Sequence, residues 1–470
     1  MFATSSIKEQ FKLTFRLAVP AILAQFSMCL MSCIDAAMVG RLGSAPAAAI
    51  GLVSTSTWIF GSFCYGNASG FSVQISHRCG AKDFDEARRI FRDGLLWTLL
   101  GAVALGAAGA AISGGLPRWL GGGADIRADA GGYFLIFALT LPLFQLAVYA
   151  EAALIASGNT RIPSIASAGM CVLDVAFNAL FIFGMGMGAR GAALGTALAT
   201  GCSAAFLLVY SFRRSTALRQ KPSFLQPVRR FLGQRSLRTE LRLSERAESP
   251  ARTILGKALG ISWPLWLQNL IVRGAYIAAT VLIAPLGTIA IAANSFAIIA
   301  EGFCYLPGFG MQDAASTLVG QNIGASRKDL ARRFAVITMG SGAVMMGMLA
   351  SLMWLFAPQI MGWMSTDPEV IALGARCLRI EAWAEFFFGL SIVGYGCCIG
   401  TGKTIVPSLV NILSMWVVRI GLSLVLIPRY GLEGYWMAMA TELILKGCVF
   451  ALYCFSGMFL RSSRRKSQAF

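Results

Sequence analysis

Apolar residues fill this chain in long runs, and short polar segments separate the runs at regular intervals. Most runs cover about 20 residues or more, the length that an α-helix needs to cross a bilayer core of roughly 30 Å. The pattern predicts twelve membrane helices, near residues 13–39, 48–74, 94–114, 133–156, 162–184, 191–212, 257–284, 288–311, 334–358, 377–400, 405–427 and 434–456. The predicted fold class is therefore an all-α polytopic membrane protein.

Composition agrees with this prediction and narrows the function classes. The 470 residues are 56% hydrophobic and 13% charged, with a mean hydropathy of +0.67. The net charge of +18 does not indicate a nucleic-acid partner, because the basic residues lie between the apolar runs. His77 is the only histidine, and the 12 cysteines show no metal-ligand spacing. We expect no structural metal and no enzymatic activity.

Lysine and arginine residues lie mainly on one side of the predicted membrane. Thirty of the 40 fall on the side of the N-terminus, and seven fall in the alternate loops. The positive-inside rule then places both termini in the cytoplasm, at a plasma (inner) membrane. The longest loop carries twelve basic residues between Arg213 and Lys257. Apolar residues recur in it at helical spacing, so a basic amphipathic helix and a solvated linker both remain open.

The two halves of the chain repeat at an offset of 244 residues. The matched pairs include Pro20/Pro264, Gly43/Gly287, Gly80/Gly324, Arg88/Arg332, Gly158/Gly402 and Pro163/Pro407. Because each half holds six spans, both halves enter the membrane in the same sense. We predict two six-helix lobes, 1–212 and 257–470, joined by a basic cytoplasmic linker, 213–256. The lobes are expected to be related by a pseudo-two-fold axis along the membrane normal, with the substrate between them.

The repeat also argues against nucleotide binding at Gly402-Lys403-Thr404. A phosphate-binding loop needs an earlier glycine at fixed spacing, and Gly396 lies one position too far away. The repeat mate, Gly158-Asn159-Thr160, has no lysine. We therefore expect an ion gradient, and not ATP, to supply the energy for transport.

Acidic residues within the spans are the candidate functional residues. Asp174 lies in the middle of the run 163–184, where a carboxylate costs at least ~2.5 kcal/mol to insert. Asn178 follows one turn later on the same helical face, and Asp35 lies near the end of the first run. Intramembrane acids usually mark function, although hydrogen bonds or an arginine can also retain them for packing.

The intramembrane charges are specific to one half. At the offset of 244, Asp35 and Asp174 align with Ala279 and Val418, and Glu301, Glu385 and Arg419 also align with uncharged residues. Shared positions are mostly turn and packing residues, so this asymmetry favours a functional origin for the charges.

Six short motifs occur in a fixed order over most of the chain. The first half contains Val39-Gly40-Arg41-Leu42-Gly43, Gly158-Asn159-Thr160-x-x-Pro163 and Gly191-Ala192-Ala193-Leu194-Gly195-Thr196. The second half contains Pro307-Gly308-Phe309-Gly310, Ala314-Ala315-Ser316-Thr317-Leu318-Val319-Gly320-Gln321-x-x-Gly324-Ala325 and Thr366-Asp367-Pro368-Glu369-Val370. Together they resemble the bacterial multidrug and toxic compound extrusion (MATE) transporters.

The resemblance implies an antiporter that alternates between outward and inward openings. It implies export of amphipathic, often cationic, small molecules in exchange for H⁺ or Na⁺, by a monomer in the lipid bilayer. It places a cation-coupling site in the first lobe, at Asp35, Asp174, Asn178 and Thr196. Family members often carry Asn first on helix 5, whereas here Asp174 precedes Asn178, so H⁺ and Na⁺ both remain open.

Second-lobe residues are the alternative location for coupling or for substrate. Glu301, Glu381 and Glu385 are the acids considered, and Arg273 stands on helix 7, where other branches of the family carry an acid. Structural ion pairs explain these acids, and Glu442, equally well. The basic partners would be Arg273, Arg379, Arg419 or Lys446. Pro20 is a predicted bending point of helix 1, because proline removes a backbone hydrogen bond.

The alternative function is a flippase or exporter of lipid-linked saccharides with the same two-lobe architecture. Such a protein needs a strongly cationic cleft for a pyrophosphate group. Only three basic residues lie well within the spans, against seven acids, so this function ranks second.

Overall fold

The computed structural model describes residues 6–219 and 250–460. All regular structure in this part of the chain is helical, and twelve helices are long and apolar enough to span a membrane. They are α1 (Ile7–Gly40), α2 (Ser44–Gly80), α3 (Phe84–Ile112), α4 (Arg127–Ala156), α5 (Arg161–Gly184), α6 (Gly188–Arg213), α7 (Pro250–Ile283), α8 (Thr288–Gly324), α9 (Lys328–Met364), α10 (Pro368–Gly400), α11 (Ile405–Tyr430) and α12 (Leu432–Phe455). The predicted fold class and the predicted number of spans are confirmed.

Several helices are longer than their apolar runs. Hydropathy marks only the part of a helix in hydrocarbon, and the backbone hydrogen bonding continues into the polar interface. Helix α8 therefore reaches Gly324, thirteen residues beyond its predicted end at 311 (324 − 311), and contains Asp313. Helix α7 begins at Pro250, inside the range predicted as linker. The apolar positions Leu225, Val228, Phe231 and Leu232, which suggested an amphipathic helix, lie outside the described residues.

The backbone at the helix ends repeats at the predicted offset. Gly43 and Gly287 have φ of 107° and 90°, and Gly158 and Gly402 have φ of 90° and 77°. The two non-glycine residues with positive φ in the described ranges, Lys82 (62°) and Ser326 (60°), are also separated by 244 positions. Glycine is favoured at such turns because it has no Cβ to clash. The two halves therefore repeat in the backbone conformation of their turns as well as in their sequence.

The described residues pack into two compact units that do not separate at the linker. One unit contains residues of Met1–Phe26 and Pro264–Phe470, and the other contains residues of Ser27–Trp263. The first segments of α1 and α7 thus pack with helices of the opposite half of the sequence. The predicted lobe limits, 1–212 and 257–470, do not include this exchange. An internal repeat shows which residues are equivalent in the two halves, but it does not show which residues they contact.

Small residues allow this exchange in both units. In the Pro264–Phe470 unit, Leu17 and Ala18 of α1 are buried against Met311 of α8. A Cβ at Gly310 would meet the backbone nitrogen of Ile22, so glycine permits the close approach of α1 and α8. Pro20 lies within this segment, inside an unbroken α1.

In the Ser27–Trp263 unit, the first segment of α7 contacts α2. Ser262 Oγ on α7 donates to the Gly66 carbonyl of α2 at 2.8 Å, and Gln74 Nε2 donates to the Ile254 carbonyl at 3.2 Å. Gly66 and Gly310 are separated by 244 positions. In each half of the repeat, the first helical segment of the other half therefore packs near the same repeat position, which is a glycine in both halves.

Basic residues at the helix ends cap backbone carbonyls. Arg332 Nε donates to the Phe455 carbonyl at 3.1 Å, and its repeat mate Arg88 donates to the Thr216 carbonyl. Lys403 Nζ donates to the Phe459 carbonyl at 3.0 Å. Lysine and arginine side chains commonly satisfy the last carbonyls of a helix in this way. The lysine of the Gly402-Lys403-Thr404 segment is therefore a capping residue in a turn between two helices.

Two buried carboxyl clusters as candidate functional sites

The first cluster joins α1 to α5 through one amide group. Asn178 Nδ2 donates to Asp35 Oδ1 and to Asp174 Oδ2, at 2.9 Å in each case. Asp174 and Asn178 are fully buried, whereas Asp35 is partly exposed. The structure thus brings together three of the four residues predicted for the first-lobe site.

The local fold of α5 and α6 holds this amide in place. Asn178 is the last α-helical residue before a π-helical segment, Ala179–Gly184, which completes α5. Gly195 of α6 lies directly against the Asn178 side chain, and any Cβ there would overlap its carbonyl oxygen. Gly191 lies against the backbone of Phe181 in the π segment. π-Helical turns are rare and are frequent at functional sites.

The cluster offers oxygen atoms that lack partners. Asp174 Oδ1 and Asn178 Oδ1 are buried and have no hydrogen-bond partner within the described ranges. The two carboxyl groups of Asp35 and Asp174 also interact directly. Both hydrogens of the Asn178 amide are already donated, so repulsion between two ionised carboxylates is only partly offset. A proton or a hard cation with oxygen ligands fits this arrangement.

The surroundings of the first cluster differ from the predicted site at two residues, Thr196 and Tyr133. Thr196 is partly buried on α6, and no hydrogen bond from it to Asp35, Asp174 or Asn178 is present in the described part of the chain. Tyr133 on α4 is close enough to interact electrostatically with both carboxylates. The sequence contains no signal for Tyr133, because a tyrosine near a helix end is common in membrane proteins.

The second cluster consists of Glu301 on α8 and Glu381 and Glu385 on α10. One carboxylate oxygen from each lies within 4.8 Å of the other two, and all three residues are buried. All four carboxylate oxygens of Glu381 and Glu385 lack a hydrogen-bond partner among the described residues. The sequence analysis named all three acids as an alternative location and noted that helix 7 carries Arg273 where other branches of the family carry an acid. In the structure the third carboxylate of the cluster comes from Glu301 on α8.

An ion-pair network lies beside this triad. Arg419 Nη2 on α11 contacts Glu442 Oε2 on α12 at 2.8 Å, and Lys446 Nζ contacts Glu442 Oε1 at 3.0 Å. Arg419 lies in a second π-helical segment, Ser414–Ile420. Structural pairing is therefore confirmed for Glu442.

The other arginines that were considered as partners make different contacts. Arg379 Nε donates to the Trp354 carbonyl at 3.3 Å, and its guanidinium lies over the Trp354 ring. The Arg273 guanidinium lies 5.9 Å from the ring centroid of Tyr276.

Asp313 is an acid of α8 that lies just beyond the span predicted from the sequence. It is partly buried within α8. The acid itself was visible in the sequence, but the predicted span stopped two residues before it. A helix-length criterion that continues to the next turn signal, at Gly324, would have included it.

Known proteins resemble this chain over most of its length. The MatE family model matches residues 20–180 and 264–425. The probable multidrug resistance protein NorM of Chromobacterium violaceum is 26% identical over 463 residues, covering 96% of this chain and 93% of that protein. The corresponding NorM protein of Pseudomonas aeruginosa is 28% identical over 448 residues, covering 92% and 86%.

Solved structures show the same fold. The Vibrio cholerae MATE transporter VcmN in its bent form has a TM-score of 0.85 at 20% sequence identity, with 97% of this chain and 98% of that chain covered. A MOP superfamily transporter from Pyrococcus furiosus also has a TM-score of 0.85, at 18% identity, with 96% and 97% covered.

Proposed function

This chain belongs to the MatE family of transporters, and on that premise we propose that it is a secondary antiporter in which H⁺ or Na⁺ drives the export of amphipathic cations. The family is one of multidrug efflux transporters and not of enzymes. The observation that carries the proposal is the Asn178 amide between Asp35 and Asp174, since it makes the contact of α1 with α5 dependent on charge.

The coupling step follows from the electrostatics of this cluster. Two ionised carboxylates in a low-dielectric interior repel each other strongly. A proton on one carboxylate, or Na⁺ held by the free oxygens of Asp174 and Asn178, removes that repulsion. The ion then favours the arrangement in which α1 stays against α5. Release of the ion favours separation of the two helices, with Pro20 and the π segment Ala179–Gly184 as the adaptable backbone.

The acid triad is proposed to bind the same ion in the other unit. Glu301, Glu381 and Glu385 form a buried cluster in which the carboxylate oxygens of Glu381 and Glu385 lack hydrogen-bond partners among the described residues, and burial of such charges is costly without a cation. A cationic substrate is also consistent with the excess of buried acids. A saccharide flippase fits less well, because Arg419 and Lys446 are already paired with Glu442 and do not face a pyrophosphate as free charges.

The test uses purified protein in vesicles that contain no other transporter. Export of an ethidium-like dye is measured under an imposed H⁺ gradient and, separately, under an imposed Na⁺ gradient. We expect one of the two gradients to drive export, and Asp35→Asn and Asp174→Asn to abolish it. Glu381→Gln and Glu385→Gln are expected to slow export without abolishing it. The control is Asp85→Asn, because this carboxylate is 86% exposed and belongs to neither cluster.

Two outcomes would contradict the proposal. If neither gradient drives dye export, while a lipid-linked saccharide precursor accumulates in cells that lack the gene, the flippase function replaces the antiporter. If Asp35→Asn and Asp174→Asn transport at the wild-type rate while a triad variant is inactive, coupling belongs to the triad alone.

The proposed setting of the transporter is a plasma membrane, with both termini in the cytoplasm and one chain as the functional unit. The charge distribution along the chain supports the orientation. The presence of both carboxyl clusters within single chains supports the monomer.

A further inference from the structure

Arg419 is the buried cation beside the acid triad, and it is not saturated by its partner. Its Nη2 pairs with Glu442 at 2.8 Å, and its side chain is only 6% exposed. Its Nε is buried and has no hydrogen-bond partner among the described residues. The Tyr435 side chain on α12 also hydrogen-bonds the guanidinium, so Nε is a buried donor that neither Glu442 nor Tyr435 satisfies.

Titratable groups on four helices interact electrostatically with Arg419. They are Tyr276 on α7, Glu301 on α8, Glu381 on α10, and Tyr435 and Glu442 on α12, and Lys446 pairs with Glu442. Glu301 and Glu381, which belong to the triad, interact electrostatically with the guanidinium. The positive charge of Arg419 therefore acts on the carboxyl groups of the triad, although Arg419 forms its ion pair with Glu442.

The charges in this region form a simple sum. In their ionised forms Arg419, Lys446 and Glu442 sum to a formal charge of +1, and the three acids of the triad sum to −3. The formal net charge of the neighbourhood is therefore −2 when no proton or cation is bound to the triad. Because Lys446 holds the second oxygen of Glu442, loss of Arg419 still leaves Glu442 paired.

From this arrangement we propose that Arg419 is the resident counter-cation of the Glu301–Glu381–Glu385 triad and sets its affinity for the coupling ion. The inference deepens the proposed function and rests on the triad binding that ion. The positive charge of Arg419 lowers the affinity of the triad for the coupling ion, so that the ion can dissociate again. Glu442 and Lys446 determine how much of the positive charge of Arg419 acts on the triad.

The test changes the net charge one step at a time. Arg419→Gln makes the neighbourhood −3, the wild-type protein is −2, and Glu442→Gln makes it −1. The concentration of coupling ion that gives half-maximal dye export is measured for each in vesicles. We expect Arg419→Gln to lower that concentration and Glu442→Gln to raise it, by about tenfold in each direction. Arg419→Lys and Glu442→Asp keep the charges and should stay near the wild-type value.

A purely structural ion pair gives a different result. Arg419→Gln and Glu442→Gln would then break the same contact and shift the half-maximal concentration in the same direction, or leave it unchanged. Either result overturns the proposal. So does a difference between the two variants that is not reduced when Glu381→Gln is added to both, because one of the two triad acids that interact with Arg419 is then absent.

Two further measurements test the proposal if some of these variants do not fold or do not transport. Lys446→Met removes a positive charge without breaking the Arg419–Glu442 pair, and it should act in the direction of Arg419→Gln. An opposite shift contradicts the proposal even if the other variants fail to fold. Titration calorimetry of the purified full-length protein with NaCl, or with acid, measures ion binding without transport. It separates a failure of this inference from a failure of the antiport function.

Discussion

The side-chain amide of Asn178 on α5 donates a hydrogen bond to Asp35 on α1, with 2.9 Å between Nδ2 and Oδ1. The same amide donates to Asp174, one turn earlier on α5. One neutral group thus bonds both acids and links two residues that are more than 100 positions apart in the chain. The link depends on both acids remaining acceptors, so it responds to any ion that binds there.

Exchange of the two α5 residues tests the order Asp174, Asn178. In Asp174→Asn combined with Asn178→Asp, a carboxylate replaces the amide that donates to Asp35. We expect export to fall about tenfold, because repulsion replaces a hydrogen bond to a charged group worth about 1.5–3 kcal/mol. Initial rates of dye export in vesicles measure the effect, at protein amounts matched by immunoblot. Wild-type export by the double variant would show that only the helical face matters.

Gly195→Ala tests the close contact of α6 with Asn178. A Cβ at this position overlaps the Asn178 side chain, so we expect a loss of about 1–3 kcal/mol in stability, as for other overpacked sites. Thermal unfolding of the detergent-purified protein measures this loss. Gly169→Ala on α5 is the matched control, since nothing lies within 4 Å of a Cβ there. Equal melting temperatures for the two variants would contradict the predicted overlap.

Gly310→Ala tests the packing of the first segment of α1 in the Pro264–Phe470 unit. The added Cβ meets the backbone of Ile22, which cannot move aside as a flexible side chain would. We expect destabilisation of about 1–3 kcal/mol and lower yield in the membrane. Gly302→Ala on the same helix is the control, because its nearest neighbour is the Tyr305 hydroxyl at 3.7 Å. The two variants are compared by thermal unfolding, and a loss of stability in the control alone would refute the predicted contact.

The orientation in the membrane is tested by labelling. A single cysteine is placed in the segment 220–249 of a cysteine-depleted variant, and an impermeant maleimide is added to intact cells or to inverted vesicles. We expect labelling in inverted vesicles only, because the basic residues favour the cytoplasmic side. A cysteine introduced at Gly121, between α3 and α4, should show the opposite pattern. Labelling of the 220–249 site in intact cells would reverse the assigned topology.

The sequence by itself determined the features that arise from near neighbours along the chain. Hydrophobic runs gave the twelve spans, since a helix satisfies its own backbone hydrogen bonds in lipid. Glycines at 43, 158, 287 and 402 marked turns, and all four have positive φ. Pairs four residues apart were also readable, such as Asp174 with Asn178 and Glu442 with Lys446, because they share a helical face.

Only the tertiary structure decided which distant groups meet. Glu301 joins Glu381 and Glu385 from a helix about 80 positions away, and Arg419 pairs with Glu442 although several other acids were available. The first segments of α1 and α7 pack with the opposite half of the sequence. These choices depend on small differences in helix packing, such as the space left by Gly310 or Gly195, and residue spacing along the chain does not encode them.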